Sequence, residues 1–331
     1  MMKHGANIYK YANKLKCKAD EIIDFSSNIN LYTKKINLTL TDNMIVKYAN
    51  TSYPHLRRTI TKKYKIKKNQ VALYNGVTTA IHSLLQSLDA KRIYLYAPLY
   101  GEYEKAISKR AKVIKINRFK NLYKKPKKGS VVVFVNPSTP DATYYDLTRL
   151  FALWKRQKCT IILDESFLEF QNLHSLRNQI NNYKKLYIIQ SFSKFYACAG
   201  VRIGAIFSQK RNIEQLEIPI WNISSFDSEF LTLRLMDKKF ERKSKKLHKK
   251  QKKELFDILQ SSKLFDKIYK SDTNFILVKS KKSKEIFEHL LHHKILIRPC
   301  ESFDFLTSEH LRFAVKTTNA HNKLTEALNS F

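Results

Sequence analysis

Apolar residues come in short uninterrupted runs through the middle of the chain: Ile93-Tyr-Leu-Tyr-Ala97, Val131-Val-Val-Phe-Val135, Ile161-Ile-Leu163 and Leu186-Tyr-Ile-Ile189. A run of this length that does not alternate with polar residues is the pattern of a strand buried on both faces, as in parallel sheets covered by helices. Val71 to Tyr74 and Lys112 to Arg118 read as two more strands. Ile8 to Leu15 has helical spacing, and Pro54 opens a helix that places Leu56, Ile60 and Tyr64 on one face. From residue 225 the periodicity is helical through Leu259, then strand-like in Thr273-Asn-Phe-Ile-Leu-Val278, Ile295-Leu-Ile-Arg-Pro-Cys300 and His310-Leu-Arg-Phe-Ala-Val315. The pattern predicts a large α/β domain at 40–224 with a mostly parallel central sheet between helices. A small α+β domain follows at 225–331, with an N-terminal arm at 1–39 that packs with it. A chain of 331 residues is long enough for two cores.

The polar residues with chemistry to offer stand where the apolar runs end. After the Leu186 run comes Ser191-Phe-Ser-Lys194, and eight residues beyond the lysine stands Arg202, between Gly200 and Gly204. An amine for a Schiff base, two hydroxyls and a bidentate guanidinium are the parts that hold a phosphorylated aldehyde. Asp164 closes the Ile161 run at the carboxyl end of a strand, where α/β sheets place ligands. Asn75-Gly76 turns the chain into a helix whose first amides, at Val77 and Thr78, can cup a phosphate. Tyr100 follows another strand end, and Thr139 lies in a proline-rich turn after Val135. Arg298 and Arg312 are single arginines in separate strands, and a forked guanidinium suits a carboxylate or a phosphate. The chain has only 6 glycines, against roughly 20 in an average chain of this length. Gly5, Gly76, Gly200 and Gly204 fall in these segments, so positive φ or close backbone approach is expected at each.

Ser-x-Ser-Lys-(x)7-Arg-x-Gly resembles the lysine segment of fold-type I pyridoxal-phosphate (PLP) enzymes in the aminotransferase class I/II superfamily. His4-Gly-Ala-Asn7 followed by Asp24-Phe-Ser-Ser-Asn-Ile-Asn30 resembles the opening of the threonine-phosphate decarboxylases, relatives of the histidinol-phosphate aminotransferases. The resemblance implies a PLP-dependent transferase fold in which Lys194 carries the cofactor and Asp164 pairs with its pyridine nitrogen. It places Gly76, Val77, Thr78, Ser191, Ser193 and Arg202 around the cofactor phosphate and Tyr100 on the pyridine ring. Tyr53 is implied to reach the phosphate of the other subunit, hence a homodimer with shared active sites. His4, Asn28, Arg298 and Arg312 are implied to bind substrate, the two arginines its phosphate and carboxylate. The chain also departs from the family pattern. Thr139 replaces an asparagine that donates to the cofactor's phenolic oxygen, Asp141-Ala142 replaces Thr-Gly, and Phe167 stands where tyrosine is common. The implied reaction is decarboxylation of threonine phosphate or serine phosphate to an amino-alcohol phosphate. The alternatives are aminotransfer on a histidinol-phosphate-type substrate, or a non-catalytic basic nucleic-acid-binding protein that keeps the fold.

Charge changes the picture little: 62 Lys+Arg against 28 Asp+Glu give a net +34, but the lysines are spread along the whole chain. The densest run, 242–253, has helical spacing and reads as a solvated face, so small anions rather than nucleic acid are the expected partners. Cys17, Cys159, Cys198 and Cys300 are isolated and lack metal-ligand spacing, which fits a reducing compartment and no metal. No apolar segment follows the first residues, and none is long enough for a membrane helix, so a cytoplasmic, membrane-free protein is expected.

Overall fold

The structure, a computed structural model, describes residues 7–331. Seven strands form the main sheet in the order Val71–Asn75, Ile203–Phe207, Leu186–Ser191, Thr160–Asp164, Val131–Val135, Arg92–Ala97 and Lys112–Asn117. Only the two pairs made by Ile203–Phe207 are antiparallel. Side chains alternate across a strand, and here the alternation divides the apolar runs between two cores. Val131, Val133 and Ile189 join Ile81, Leu84 and Leu85 of the helix Gly76–Ser87 on one face. Val132, Phe134 and Ile188 meet Leu56, Ile60, Leu150 and Trp154 on the other, under the helices Pro54–Tyr64 and Thr148–Arg156. Each such side chain contributes about 1.5–3 kcal/mol on burial, which is why the runs are apolar on both faces. Because the strands are parallel, Tyr100, Thr139, Asp164 and Ser191 all follow or end strands at one edge of the sheet.

A second, antiparallel sheet runs in the order Arg298–Pro299, His310–Ala314, Phe275–Lys279, Lys267–Ile268. Leu255, Ile286, Leu290 and Leu324 from three helices cover it. The arm belongs to this part of the molecule. Ile23–Asp24 pairs in parallel with Ile295–Leu296, and Phe25 is buried in the small core. The apolar run 295–300 therefore serves two sheets, two residues in each, where the pattern suggested one strand.

The helices that follow residue 224 pack into both cores. The helix Ser225–Met236 buries Leu231 and Leu235 in the large core. The next helix, Lys238–Ser261, carries Phe240 in the large core and Leu255 and Leu259 in the small one, so it spans the two. Helical periodicity continues across such a junction unbroken, and the sequence shows no step there.

Candidate active site

A cavity of about 660 Å³ opens between the carboxyl edge of the large sheet and the small antiparallel sheet. Lys194 lines it, on the turn that follows the strand Leu186–Ser191. Burial, reinforced by the nearby Arg202 and Arg312 charges, pulls the Lys194 amine down to about 8. The backbone under the lysine is tied down: its carbonyl accepts from Asn30 N at 2.9 Å, and the Phe195 carbonyl accepts from Asn30 Nδ2 at 2.6 Å.

Around the start of the helix Gly76–Ser87 the chain leaves no room for side chains. Gly76 has φ +77°, and a Cβ there would lie 2.9 Å from the Arg202 guanidinium. A Cβ on Gly204 would lie 2.6 Å from the backbone nitrogen of Val77. Both glycines are therefore required, the first by conformation and contact, the second by contact alone. Gly200 needs neither, contrary to expectation: nothing lies within 4 Å of its Cβ position and its φ is not positive. Gly5 lies outside the described residues. Val77, Thr78, Ser191, Ser193 and Arg202 all line the cavity, with the two serine hydroxyls 2.8 Å apart. Helix amides, hydroxyls and a guanidinium converging on one wall form an anion cradle.

Asp164 also lines the cavity, close enough to the Lys194 amine for the two charges to interact, and makes no ion-pair contact among the described residues. Its Oδ1 accepts from Ser166 N at 2.9 Å and its Oδ2 from the Tyr103 hydroxyl at 2.7 Å. Burial pushes its pKa up, and those donors oppose the shift. Tyr100 lines the cavity, its hydroxyl 3.3 Å from Thr78 Oγ1.

Arg298 and Arg312 face each other in register on adjacent strands, and both line the cavity. Arg312 donates to Thr139 Oγ1 at 3.1 Å and to the Ser26 carbonyl at 3.0 Å, while its Nε is buried without a partner. Burial brings the Arg312 pKa down to about 10. Arg298 donates to Ser302 Oγ at 3.0 Å. Thr139 thus accepts from Arg312 and keeps its own proton to donate; Phe167, also on the cavity wall, has none.

Asn28 lines the cavity from the arm, where the Asn28 carbonyl accepts from Asn274 Nδ2 at 2.6 Å. Tyr53 does not reach the cavity of its own chain: its hydroxyl is engaged with the backbone of Ile223 at 3.1 and 3.2 Å. His4 lies outside the described residues. Tyr103 and Asn30 escaped the sequence reading. The only signal for Tyr103 is its place three residues after Tyr100, inside the short helix Glu102–Lys105 that Tyr100 precedes.

A family model described as aminotransferase class I and II matches residues 1–331. The chain is 28% identical to the adenosylcobalamin biosynthesis bifunctional protein CobDQ of Leptospira interrogans, over 99% of this chain and 41% of that protein's length. It is 22% identical to threonine-phosphate decarboxylase of Salmonella typhimurium, over 98% of this chain and 95% of the relative. Among solved structures, the histidinol-phosphate aminotransferase of Clostridium acetobutylicum matches with a TM-score of 0.80 and 25% identity, covering 92% of this chain and 98% of that one.

Proposed function

The chain belongs to the aminotransferase class I and II family, and from that premise we propose that it decarboxylates a small phosphorylated amino acid, threonine phosphate or serine phosphate. Enzymes of the family depend on pyridoxal 5'-phosphate. The cavity suits that group on its own chemistry: a buried amine, a cradle whose backbone a Cβ on Gly204 would strike, and a buried carboxylate on the cavity wall. Lys194 would carry the cofactor, with Ser191, Ser193, Arg202 and the amides of Val77 and Thr78 on its phosphate. Tyr100 would lie on its ring, Asp164 at its pyridine nitrogen and Thr139 near its phenolic oxygen. Once bound, the cofactor supplies an electron sink for a bond broken at the substrate's α-carbon. The chain's own work is to orient that bond and to move a proton. With its pKa near 8, Lys194 can take up or release a proton close to neutral pH.

The observation that carries the reading is the pair Arg298 and Arg312, set opposite each other on the wall of the lysine's cavity. Two guanidiniums suit a ligand with two anionic groups, a carboxylate and a phosphate; a plain amino acid offers one. Asn28 and His4 complete the proposed substrate contacts. Incubating the protein with phosphothreonine, phosphoserine and histidinol phosphate, with and without 2-oxoglutarate, tests it. Release of carbon dioxide from a phosphoamino acid without 2-oxoglutarate is the expected result. Amine transfer from histidinol phosphate that needs 2-oxoglutarate, with no carbon dioxide, would establish the second reading, which the likeness to the Clostridium aminotransferase favours. Either way, Arg298→Ala and Arg312→Ala should weaken substrate by about 2–5 kcal/mol each and leave cofactor affinity nearly unchanged.

The working unit we propose is a homodimer. Ile45, Val46 and Tyr48 are exposed, and Tyr48 stacks on Trp221 at 4.2 Å beside exposed Ile220. This apolar surface adjoins the segment that holds Tyr53, the residue assigned to the neighbouring subunit's cofactor.

A further inference from the structure

Tyr103 is wholly buried, and its ring packs in the core formed by Tyr74, Ile81 and Leu99. A phenylalanine would fill that space. A hydroxyl in such a place costs free energy unless it is bonded, and this one has its bond: it donates to Asp164 Oδ2 at 2.7 Å. Burial and the neighbouring carboxylate push the phenol well above its ordinary pKa, so it remains the donor. The other carboxylate oxygen is held by the backbone amide of Ser166 at 2.9 Å. The Ser166 hydroxyl bonds the carboxylate as well, so three donors anchor it and, of about four acceptor sites on a carboxylate, one is left over. Asp164 is itself a wall of the cavity.

The same turn of chain serves both sides of the ring site. Tyr100 stands on the cavity wall with its hydroxyl near Thr78, and three residues later Tyr103 reaches behind Asp164, which is 61 residues away in sequence. We propose that Tyr103 is a positioning residue that holds the Asp164 carboxylate ionised and correctly turned toward the pyridine nitrogen of the cofactor. The proposal rests on the reading of Asp164 as the nitrogen's partner. It assigns Tyr103 a part in cofactor electronics, transmitted through Asp164, rather than a packing role.

A ligand comparison tests this. Binding of pyridoxal 5'-phosphate and of an analogue with carbon in place of the pyridine nitrogen is measured on wild type, Tyr103→Phe, Asp164→Ala and the double variant. Tyr103→Phe should weaken the natural cofactor about tenfold, the effect of a lost hydrogen bond to a charged group, and leave the analogue within about twofold. In the Asp164→Ala background the tyrosine change should add nothing. Equal weakening of both ligands would show a packing role and overturn the proposal, as would no effect on either or additive losses in the double variant. Wild type that captures neither ligand at Lys194 would overturn the reading of the site and the proposal together. Capture of both, with Tyr103→Phe inert, would overturn the proposal alone.

Discussion

Lys194 illustrates how much one side chain's behaviour depends on what surrounds it. In water a lysine amine is almost wholly protonated near neutral pH. Here burial, with the Arg202 and Arg312 charges adding to it, brings the value to about 8. The neutral amine is the nucleophile toward an aldehyde, so its population sets how fast the empty protein captures the cofactor. Capture, followed by visible absorbance, should accelerate with pH up to about 8 and level off above it, and Lys194→Ala should show no capture. A rate still climbing in proportion to hydroxide at pH 10 would mean that the amine is not depressed.

Among the elements, the arm segment 24–30 and the helix Lys238–Ser261 join the parts of the molecule. Carbonyls of the arm accept from Ala314 N, Arg312, Lys316 and Asn274, while Asn30 grips the backbone under Lys194 and Ser244 of the helix. The long helix is fixed in turn by His248, whose Nε2 lies 3.1 Å from the Thr273 carbonyl and whose ring rests on Phe170. Burial lowers the His248 pKa to about 4. The unfolded chain takes up a proton near pH 6.5, and the folded one stays neutral until about pH 4. The resulting stability is complete above pH 6.5 and disappears as pH falls toward 4, on the order of 3 kcal/mol. His321, also lowered by burial but opposed by Glu254, adds in the same direction. Urea unfolding at pH 7.5 and 4.5 should therefore show a smaller loss on acidification in His248→Gln than in wild type. Equal losses would mean that His248 does not titrate with folding.

For the whole molecule the open matter is assembly. Val46 and Tyr48 are 74% and 78% exposed, and with Ile45, Ile220 and Trp221 they make an apolar surface out of place against solvent on a chain of net charge +34. Sedimentation at micromolar concentration should give a dimer. Val46→Asp with Tyr48→Asp should shift it toward monomer while each subunit stays folded, and cofactor affinity should fall if Tyr53 serves the neighbouring site. A wild-type protein that sediments as a monomer would refute the assembly. No helix among the described residues is long and apolar enough to cross a membrane.

What the sequence determined by itself was the set of elements and the ends at which chemistry collects. Uninterrupted apolar runs mean strands covered on both faces, and parallel strands bring their carboxyl ends, and so Asp164 and the Lys194 turn, to one edge. Gly76 was legible for the same local reason, since its turn needs positive φ. Packing alone decided the rest. It set Arg298 opposite Arg312, joined Arg312 to Thr139 across 173 residues, placed Tyr103 behind Asp164 and engaged Tyr53 with Ile223. It also left Gly200 without the constraint its surroundings in the sequence suggested. Periodicity and turn chemistry are properties of neighbouring residues, whereas these partners meet only after strands and helices have found their order, and no local pattern carries that order.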